Sequence, residues 1–451
     1  MSMAGTFVAY LDTTVVNLAF PAIAESFPGT SRATLAWVLD GYLIVFAAFL
    51  VPAGRLADRA GRRRLFVAGL TTFALASLAC AAAPSAGALI AARAVQALGG
   101  AILLPASTSL VLERFSGPAR VRAVALWGAT AGVAAAAGPT LGGLLVTGGH
   151  WRWIFVVNLP ICLVALALAR RVPPSRNPDA PAPDLLGGAL VCLATGALTL
   201  GIVEGSRWGW ADPRIVAAYA AALAAAAAAV ARSRGHPAAV LDLDLLRRRP
   251  IATANAAALL MGAGFYALML CNVLFLTTVW DYSIATAGLA ITPGALLALL
   301  VALPAARLVT RHGHWPVACA GLVLISAGAL WYVVRMEPAP GYLALFLPGN
   351  VLTGTGIGLA GPTLASAALA TLSTERFGTG GSFHAASRQL GGALGVAVVV
   401  AIAGTPAPGR IESAFDGAWA FCGLATLAAA ASVAAMSGQV RAWARGATNA
   451  S

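Results

Sequence analysis

Gly54-Arg55-Leu56-Ala57-Asp58-Arg59-Ala60-Gly61-Arg62-Arg63-Arg64 sets five arginines and one aspartate between two long apolar runs. A knot of charge in that position has to lie in water, and by the positive-inside rule that water is cytoplasm. The stretch therefore fixes an orientation for the chain on either side of it. Its charge marks a turn between two membrane-crossing helices, and the rest of the sequence is read outward from there.

The flanking runs are typical of the whole chain. Of 451 residues, 59% are hydrophobic and only 10% charged, with a mean hydropathy of +0.83, against about 25% charged residues in an ordinary soluble domain. This is the composition of a polytopic membrane protein. The net charge of +13 and the isoelectric point near 10.5 do not point to nucleic acid, because the basic residues are dispersed through short loops with no aromatic platform between them. Every basic residue is arginine and alanine is abundant, a high-GC coding bias that suggests a bacterial source. The six cysteines, Cys80, Cys162, Cys192, Cys271, Cys319 and Cys422, sit inside apolar runs without metal or CxxC spacing and read as small packing residues. No cleavable signal peptide is expected, since the chain begins almost inside its first apolar run and lacks a basic leader.

Runs of about 17 to 25 apolar residues predict fourteen spans. Their cores lie at 7–23, 35–54, 65–83, 86–110, 121–146, 153–169, 185–203, 215–231, 251–274, 285–306, 316–334, 342–364, 378–403 and 419–436. Alternating the loops from a cytoplasmic amino terminus puts 21 of the 29 arginines inside and leaves only Arg93 and Arg388 within spans. An even count with both termini cytoplasmic follows, because losing one helix would scramble this sorting.

The chain also repeats itself. The frame of Arg55 to Gly61 returns as Arg307-Leu308-Val309-Thr310-Arg311-His312-Gly313, 252 residues on, with Thr310 in place of Asp58. Glu113-Arg114-Phe115 returns as Glu375-Arg376-Phe377, 262 residues on. The predicted organisation is a six-helix bundle over 1–170, an inserted two-helix hairpin with flanking cytoplasmic loops over 171–249, and a second six-helix bundle with a short tail over 250–451. Two repeats facing each other across a central cavity is a transporter architecture.

Five motifs in order carry a resemblance over nearly the whole length. The chain resembles the major facilitator superfamily, and within it the fourteen-helix drug:proton antiporters that export quaternary ammonium compounds and antibiotics. Gly54 to Arg64 is similar to the superfamily's loop between helices 2 and 3. Leu89 to Ala101, with Arg93, Gln96 and Gly99, is similar to its helix-4 motif, and Gly138-Pro139-Thr140-Leu141-Gly142-Gly143 to its helix-5 antiporter motif. Leu11 to Pro21 resembles the first-helix signature of the fourteen-helix family, and Trp151-Arg152-Trp153-Ile154-Phe155 the start of its sixth helix.

Each group has a functional reading and a plainer one. Gly54, Asp58, Arg59, Gly61 and Arg62 form either a gate, a polar clasp at the cytoplasmic end, or a topological marker alone. Asp12 and Asp40 are carboxylates inside spans, where an unpaired charge costs about 2.5 to 3.5 kcal/mol even on the gentler insertion scale. Either can carry the coupling proton; the plainer readings are a structural contact to the fourth span for Asp12 and a solvated position in the outer interface for Asp40. The resemblance places Arg93 beside the acid of the first span, for proton coupling or structural pairing. Gly138, Pro139, Gly142 and Gly143 read as an antiporter hinge or a packing kink, with Ala134 standing where the motif expects an upstream glycine.

Candidates for the substrate cavity are Trp37, Tyr42, Gln96, Phe265, Tyr266, Asn350, His384, Arg388 and Gln389, with Phe275 as a further aromatic wall. Glu204 to Trp210 reads as an interfacial tryptophan anchor. No Walker-type loop is found, so ATP-driven transport is unsupported, and no catalytic constellation or metal cluster appears; the resemblance implies the proton gradient as the driving force, with no cofactor. The expectation is a monomeric, non-enzymatic antiporter of the bacterial cytoplasmic membrane exporting a hydrophobic or cationic drug-like molecule. The alternatives are an exporter of one native metabolite and a non-transporting sensor or scaffold.

Overall fold

A computed structural model describes residues 1–115, 130, 133–134, 137–170, 182–372, 377–403 and 411–448; the side chains of residues 58, 112–113, 206, 377–379 and 437–448 lie outside that description. The described chain is α-helical. The first group of helices is α1 (Ser2–Ser26), α2 (Arg32–Ala60), α3 (Arg62–Ala81), α4 (Ala86–Arg114), α5 (Ala137–Thr147), α6 (Trp153–Val156) and α7 (Asn158–Ala169). A pair follows, α8 (Leu185–Trp208) and α9 (Pro213–Ser233), then the short α10 (Leu243–Arg247). The last group is α11 (Arg249–Thr278), α12 (Ile284–His312), α13 (His314–Arg335), α14 (Leu347–Leu369), α15 (Phe377–Ala403) and α16 (Ile411–Thr448), with a single π-helical turn, Tyr342–Phe346, leading into α14.

Among the described residues, twelve helices are long and apolar enough to cross a membrane, and two shorter apolar helices occupy Ala137–Thr147 and Trp153–Ala169. Local chemistry sets their ends. Ser31, Ser85 and Ser283 each accept a hydrogen bond from the backbone N–H three residues on, at 3.0, 3.2 and 3.2 Å, which is the N-cap interaction. Gly61 and Gly313 end one helix and begin the next at φ of +109° and +81°, a region that strains any residue with a Cβ. Interior prolines at positions 21, 52, 105, 293, 304 and 362 are accommodated inside helices, as in other packed membrane bundles.

The helices assemble into two related halves. In the first, α4 packs against α2 and α3; in the second, α14 packs against α12 and α13 while α11 lies against α15 and α16. The repeat read from sequence is also geometric. A Cβ on Gly69 of α3 would come within 3.0 Å of the Leu103 nitrogen and 3.1 Å of the Gly99 oxygen on α4. Gly321, 252 residues on, is tighter still against α14, within 2.6 Å of the Ala360 nitrogen and 2.7 Å of the Gly356 oxygen. Small residues of this kind let membrane helices approach closely where lipid supplies no hydrophobic drive.

The halves meet along two seams. On one side α2 lies along α15, with α8 of the helical pair packed against both. On the other, α1 meets α11 and α12, and α5 meets α12: a Cβ on Gly143 would lie 2.8 Å from the Ala285 Cα, and Thr140 and Thr292 share a hydroxyl–hydroxyl bond of 2.7 Å. The pair is fastened at its base by Ala229, Val240 and Val191 packing with Ala48 and Phe49 of α2 and Leu390 of α15.

Candidate functional site

A sealed polar cluster lies inside the first half. Asp12 on α1, Arg93 and Gln96 on α4, Ser77 on α3 and Asn158 at the start of α7 are all buried. One Asp12 oxygen pairs with the Arg93 guanidinium. The other accepts from Gln96 Nε2 at 2.8 Å and Asn158 Nδ2 at 3.1 Å. Arg93 Nη1 also donates to Gln96 Oε1 at 2.6 Å, and its Nε donates to the Val38 carbonyl at 3.1 Å. Gln96 and Asn158 reach Ser77 Oγ at 2.8 and 3.4 Å. The Tyr42 ring lies 4.0 Å from the guanidinium carbon, so a cation–π contact covers the face that the carboxylate leaves open.

The carboxylate thus has three donors and the guanidinium two oxygen acceptors besides it. A buried ion pair repays its desolvation only when the remaining lone pairs and protons are also bonded; here both carboxylate oxygens accept hydrogen bonds, while the guanidinium donates through Nε and Nη1. A proton arriving on Asp12 removes the charge that holds Arg93 and turns one acceptor oxygen into a donor. The guanidinium is then left with Gln96, Val38 and an aromatic face. Removing or adding one proton therefore changes the bonding of four helices at once.

Asp40 is placed elsewhere. It is fully buried on α2, and neither of its carboxyl oxygens has a hydrogen-bond partner among the described residues. At about 100° per residue it is turned some 160° from Tyr42 and so points away from the cluster. Trp37 lines an apolar groove of about 540 Å³ between α2 and α8, together with Phe49, Cys192, Leu193 and Leu200.

In the second half Tyr266 donates to Gln389 Oε1 at 2.6 Å, and the Phe265 ring meets Tyr266 edge-on at 5.1 Å. Arg388 Nη2 donates to the Tyr10 hydroxyl of α1 at 3.1 Å, a bond across the two halves. His384, one turn before it, is buried, and its Nδ1 has no hydrogen-bond partner among the described residues. Asn350 donates to the Ala290 and Ile291 carbonyls of α12 at 3.0 and 3.2 Å. Phe275 belongs to an aromatic cluster with Trp280, Phe415 and Trp419 rather than to a cavity wall shared with Trp37 or Tyr42.

At the arginine-rich end, Gly54 sits between Pro105 of α4 and Ser382 of α15, where a Cβ would lie 3.5 Å from Pro105 Cβ and 3.6 Å from Ser382 Oγ. Arg59 and Arg62 both have interaction partners; the Asp58 side chain lies outside the described residues. Gly138, Pro139, Gly142 and Gly143 place α5 between α1 and α12, with Gly142 against Val15 and Leu18 and the Pro139 carbonyl against Gly288. Residues 135–136, needed to judge a bend before Gly138, lie outside the described residues. At the opposite end a cavity of about 310 Å³ opens between the halves, lined by Phe20, Glu25, Arg32, Leu274 and Thr277. Among the described residues no three His, Cys, Asp or Glu side chains come together as a metal site.

Ser77 and Asn158 are the members of the cluster that sequence reasoning missed. Both are polar residues on otherwise apolar helices, and that signal, though it names no partner, was available.

Two pseudo-equivalent helical halves, a charged cluster buried in one of them and seams of small residues between them define a membrane transporter. The chain belongs to the Major Facilitator Superfamily, whose family model matches residues 2–396. Multidrug resistance protein Stp of Mycobacterium tuberculosis is 34% identical over 398 residues, covering 88% of this chain and 73% of its own. Cephamycin export protein CmcT of Amycolatopsis lactamdurans is 34% identical over 435 residues, 95% of this chain and 89% of its own. Among solved structures, the xylose transporter XylE from E. coli in a partially occluded inward-open conformation superposes with a TM-score of 0.66 at 14% identity, over 95% of this chain and 96% of that one. The protein is a multi-pass transporter of the bacterial cytoplasmic membrane.

Proposed function

We propose that the protein is an efflux transporter that exchanges a hydrophobic drug-like or antibiotic-like molecule for protons by alternating access, without a cofactor and without chemical conversion of its cargo. Resistance and export relatives over most of the chain support efflux. The carrying observation for proton coupling is the Asp12–Arg93 cluster: its two charges are held only by each other and by neutral partners, so that one proton reorganises it. α1, which bears Asp12, also lies on the seam with α11 and α12, a direct route from protonation to the interface.

The finer topology belongs to the same proposal. Counting α5 and α6–α7 as the fifth and sixth spans gives fourteen, with both termini cytoplasmic, α8 and α9 as an inserted hairpin, and bundles over 1–170 and 250–451. Gly54 to Arg64 then closes the cytoplasmic end against Pro105 and Ser382 in the outward-facing state, and α5 rocks against α1 and α12 through Gly142 and Gly143. The cephamycin export relative favours a second reading, export of a single product on the same machinery. Of the two properties expected of the cargo, hydrophobic has the partly accessible Phe265 ring in its favour; cationic has Arg388 against it, and Asp12 and Asp40 are both sealed from solvent.

The test is proton-driven efflux in everted vesicles with a panel of hydrophobic compounds. Adding a substrate should release stored protons in the wild type and not in Asp12→Asn. Unchanged coupling in Asp12→Asn would remove the proton site assigned here.

A further inference from the structure

On the exporter reading above, we propose that Arg388 is the recognition residue for an acid group on the cargo, so that the substrates are hydrophobic small molecules bearing a carboxylate. Four strongly charged side chains lie deep within the described spans: Asp12, Asp40, Arg93 and Arg388. Asp12 and Arg93 cancel each other and have almost no accessible surface, and Asp40 has none, so none of the three can touch a passing molecule as placed. Arg388 differs on both counts. Among the described residues no carboxylate lies within ion-pair distance of it, and it keeps part of its surface accessible, as does its partner Tyr10.

Position adds to this. Arg388 lies eleven residues into α15 and about 12 Å along the helix axis from Gly380, where the apolar stretch of that helix begins. It faces α1, across the boundary between the halves, where an alternating-access carrier holds its cargo. An intramembrane guanidinium without a counter-ion is costly and marks a ligand pathway by default.

The geometry favours a carboxylate in particular. A guanidinium has five N–H donors in a planar fork; Tyr10 accepts one, from Nη2, and its ring lies 5.5 Å from the guanidinium carbon, steadying the group without neutralising it. The remaining donors match the two oxygens of a carboxylate. On α11, where Tyr266 bonds to Gln389, next to Arg388 in the chain, Phe265 retains accessible surface for the apolar part of the molecule. Tyr10 is a positioning residue in this scheme.

Three matched probes test the proposal on the purified full chain in lipid nanodiscs: pyrenebutyric acid, its methyl ester, and the corresponding pyrenebutyl trimethylammonium. Binding is read by energy transfer from the protein's 11 tryptophans. The acid should bind at least about tenfold more tightly than the ester, the scale of a charge-assisted fork. Arg388→Gln should abolish that ratio while leaving ester affinity within about twofold, Arg388→Lys should retain part of it, and Tyr10→Phe should lower it by a smaller factor. Failure of the acid to bind, equal binding of acid and ester, tightest binding of the cation, or an equal loss for all three probes in Arg388→Gln would each overturn the proposal, the last by showing a purely structural tie. Should Arg388→Gln fail to fold, the wild-type acid-to-ester ratio and Arg388→Lys decide. Efflux of the same probes in everted vesicles separates the two readings. Efflux without acid preference removes only the Arg388 assignment, whereas acid preference without efflux of any probe removes the exporter reading.

Discussion

The two halves of the molecule share a scaffold and differ in their chemistry. Ser31 and Thr34 cap α2 as Ser283 and Thr286 cap α12, Gly61 breaks the chain as Gly313 does, and Gly69 admits α4 as Gly321 admits α14, each pair 252 residues apart. In the same register Asp12 falls on Gly264, Asp40 on Thr292, Asp58 on Thr310 and Ser77 on Ala329. Beyond the next turn, five residues longer in the second half, Arg93 falls on Asn350 and Gln96 on Thr353. Every charge is gone. Asn350 spends its amide on two carbonyls of α12, a packing role. A half of this fold therefore stands without the buried cluster, and its presence in the other half calls for a reason other than stability.

The largest expected effect comes from breaking the charged copy. Asp12→Ala leaves the Arg93 guanidinium buried without its counter-ion and should destabilise the protein by about 3 to 5 kcal/mol. Asn350→Ala removes two ordinary hydrogen bonds and should lose about 1 to 3 kcal/mol. Thermal unfolding in one detergent compares the two. Asp12→Asn with Arg93→Gln should recover most of the stability and none of the coupling, because neutral partners refill the space. Equal losses for Asp12→Ala and Asn350→Ala would erase the asymmetry between the halves.

Next in size is the feature that the halves share. Gly99→Val and Gly356→Val each push a branched side chain into a neighbouring backbone, Phe73 and Gly69 in one case, Ile325 and Gly321 in the other. Overpacking of this kind costs about 1 to 3 kcal/mol, and the matched geometry predicts similar losses, within about 1 kcal/mol of each other. If one half tolerates valine and the other unfolds, the scaffold is less symmetric than its glycines imply.

What the sequence made legible follows from how local each signal is. The charged turn at Gly54 to Arg64 and the apolar lengths of the twelve long spans depend on a few adjacent residues and are legible in the sequence; the serine caps are equally local but were not read from it. The pairing of Asp12 with Arg93 was readable only through resemblance, because the two are 81 residues apart and no periodicity joins them. Ser77 and Asn158 entered the cluster from helices with no motif, since a lone polar residue in a span announces a partner without naming it. Trp37 and Tyr42 are both candidates for the substrate cavity, yet five helical residues turn them about 140° apart, one toward α8 and one onto Arg93. The contact of α8 with both α2 and α15 and the π-helical turn at Tyr342–Phe346 are tertiary outcomes that hydropathy does not encode.

The smallest expected effect concerns the helical pair α8 and α9, which packs against both halves. At the foot of α8, Asp184 caps the helix through the Gly187 N–H at 2.8 Å and accepts from Arg232 Nε of α9 at 2.5 Å. Burial alone would raise its carboxyl pKa; the Arg232 hydrogen bond, the Gly187 N–H and the charges of Arg232 and His236 outweigh it and hold the group below the usual carboxylate value. A lowered folded pKa means that the pair stabilises above the unfolded value near 3.8 and loses that stability as pH falls through the folded one. Asp184→Asn keeps the cap and removes the charge. With Arg232 one-third exposed, the loss should be about 1 kcal/mol or less. Amide exchange along α8 and α9 should show faster opening in the variant at pH 6, with the gap closing below about pH 3.8. A gap unchanged at pH 3 would mean that the charge of Asp184 does not fasten α8 to α9, and that Arg232 lies beside it without holding the pair.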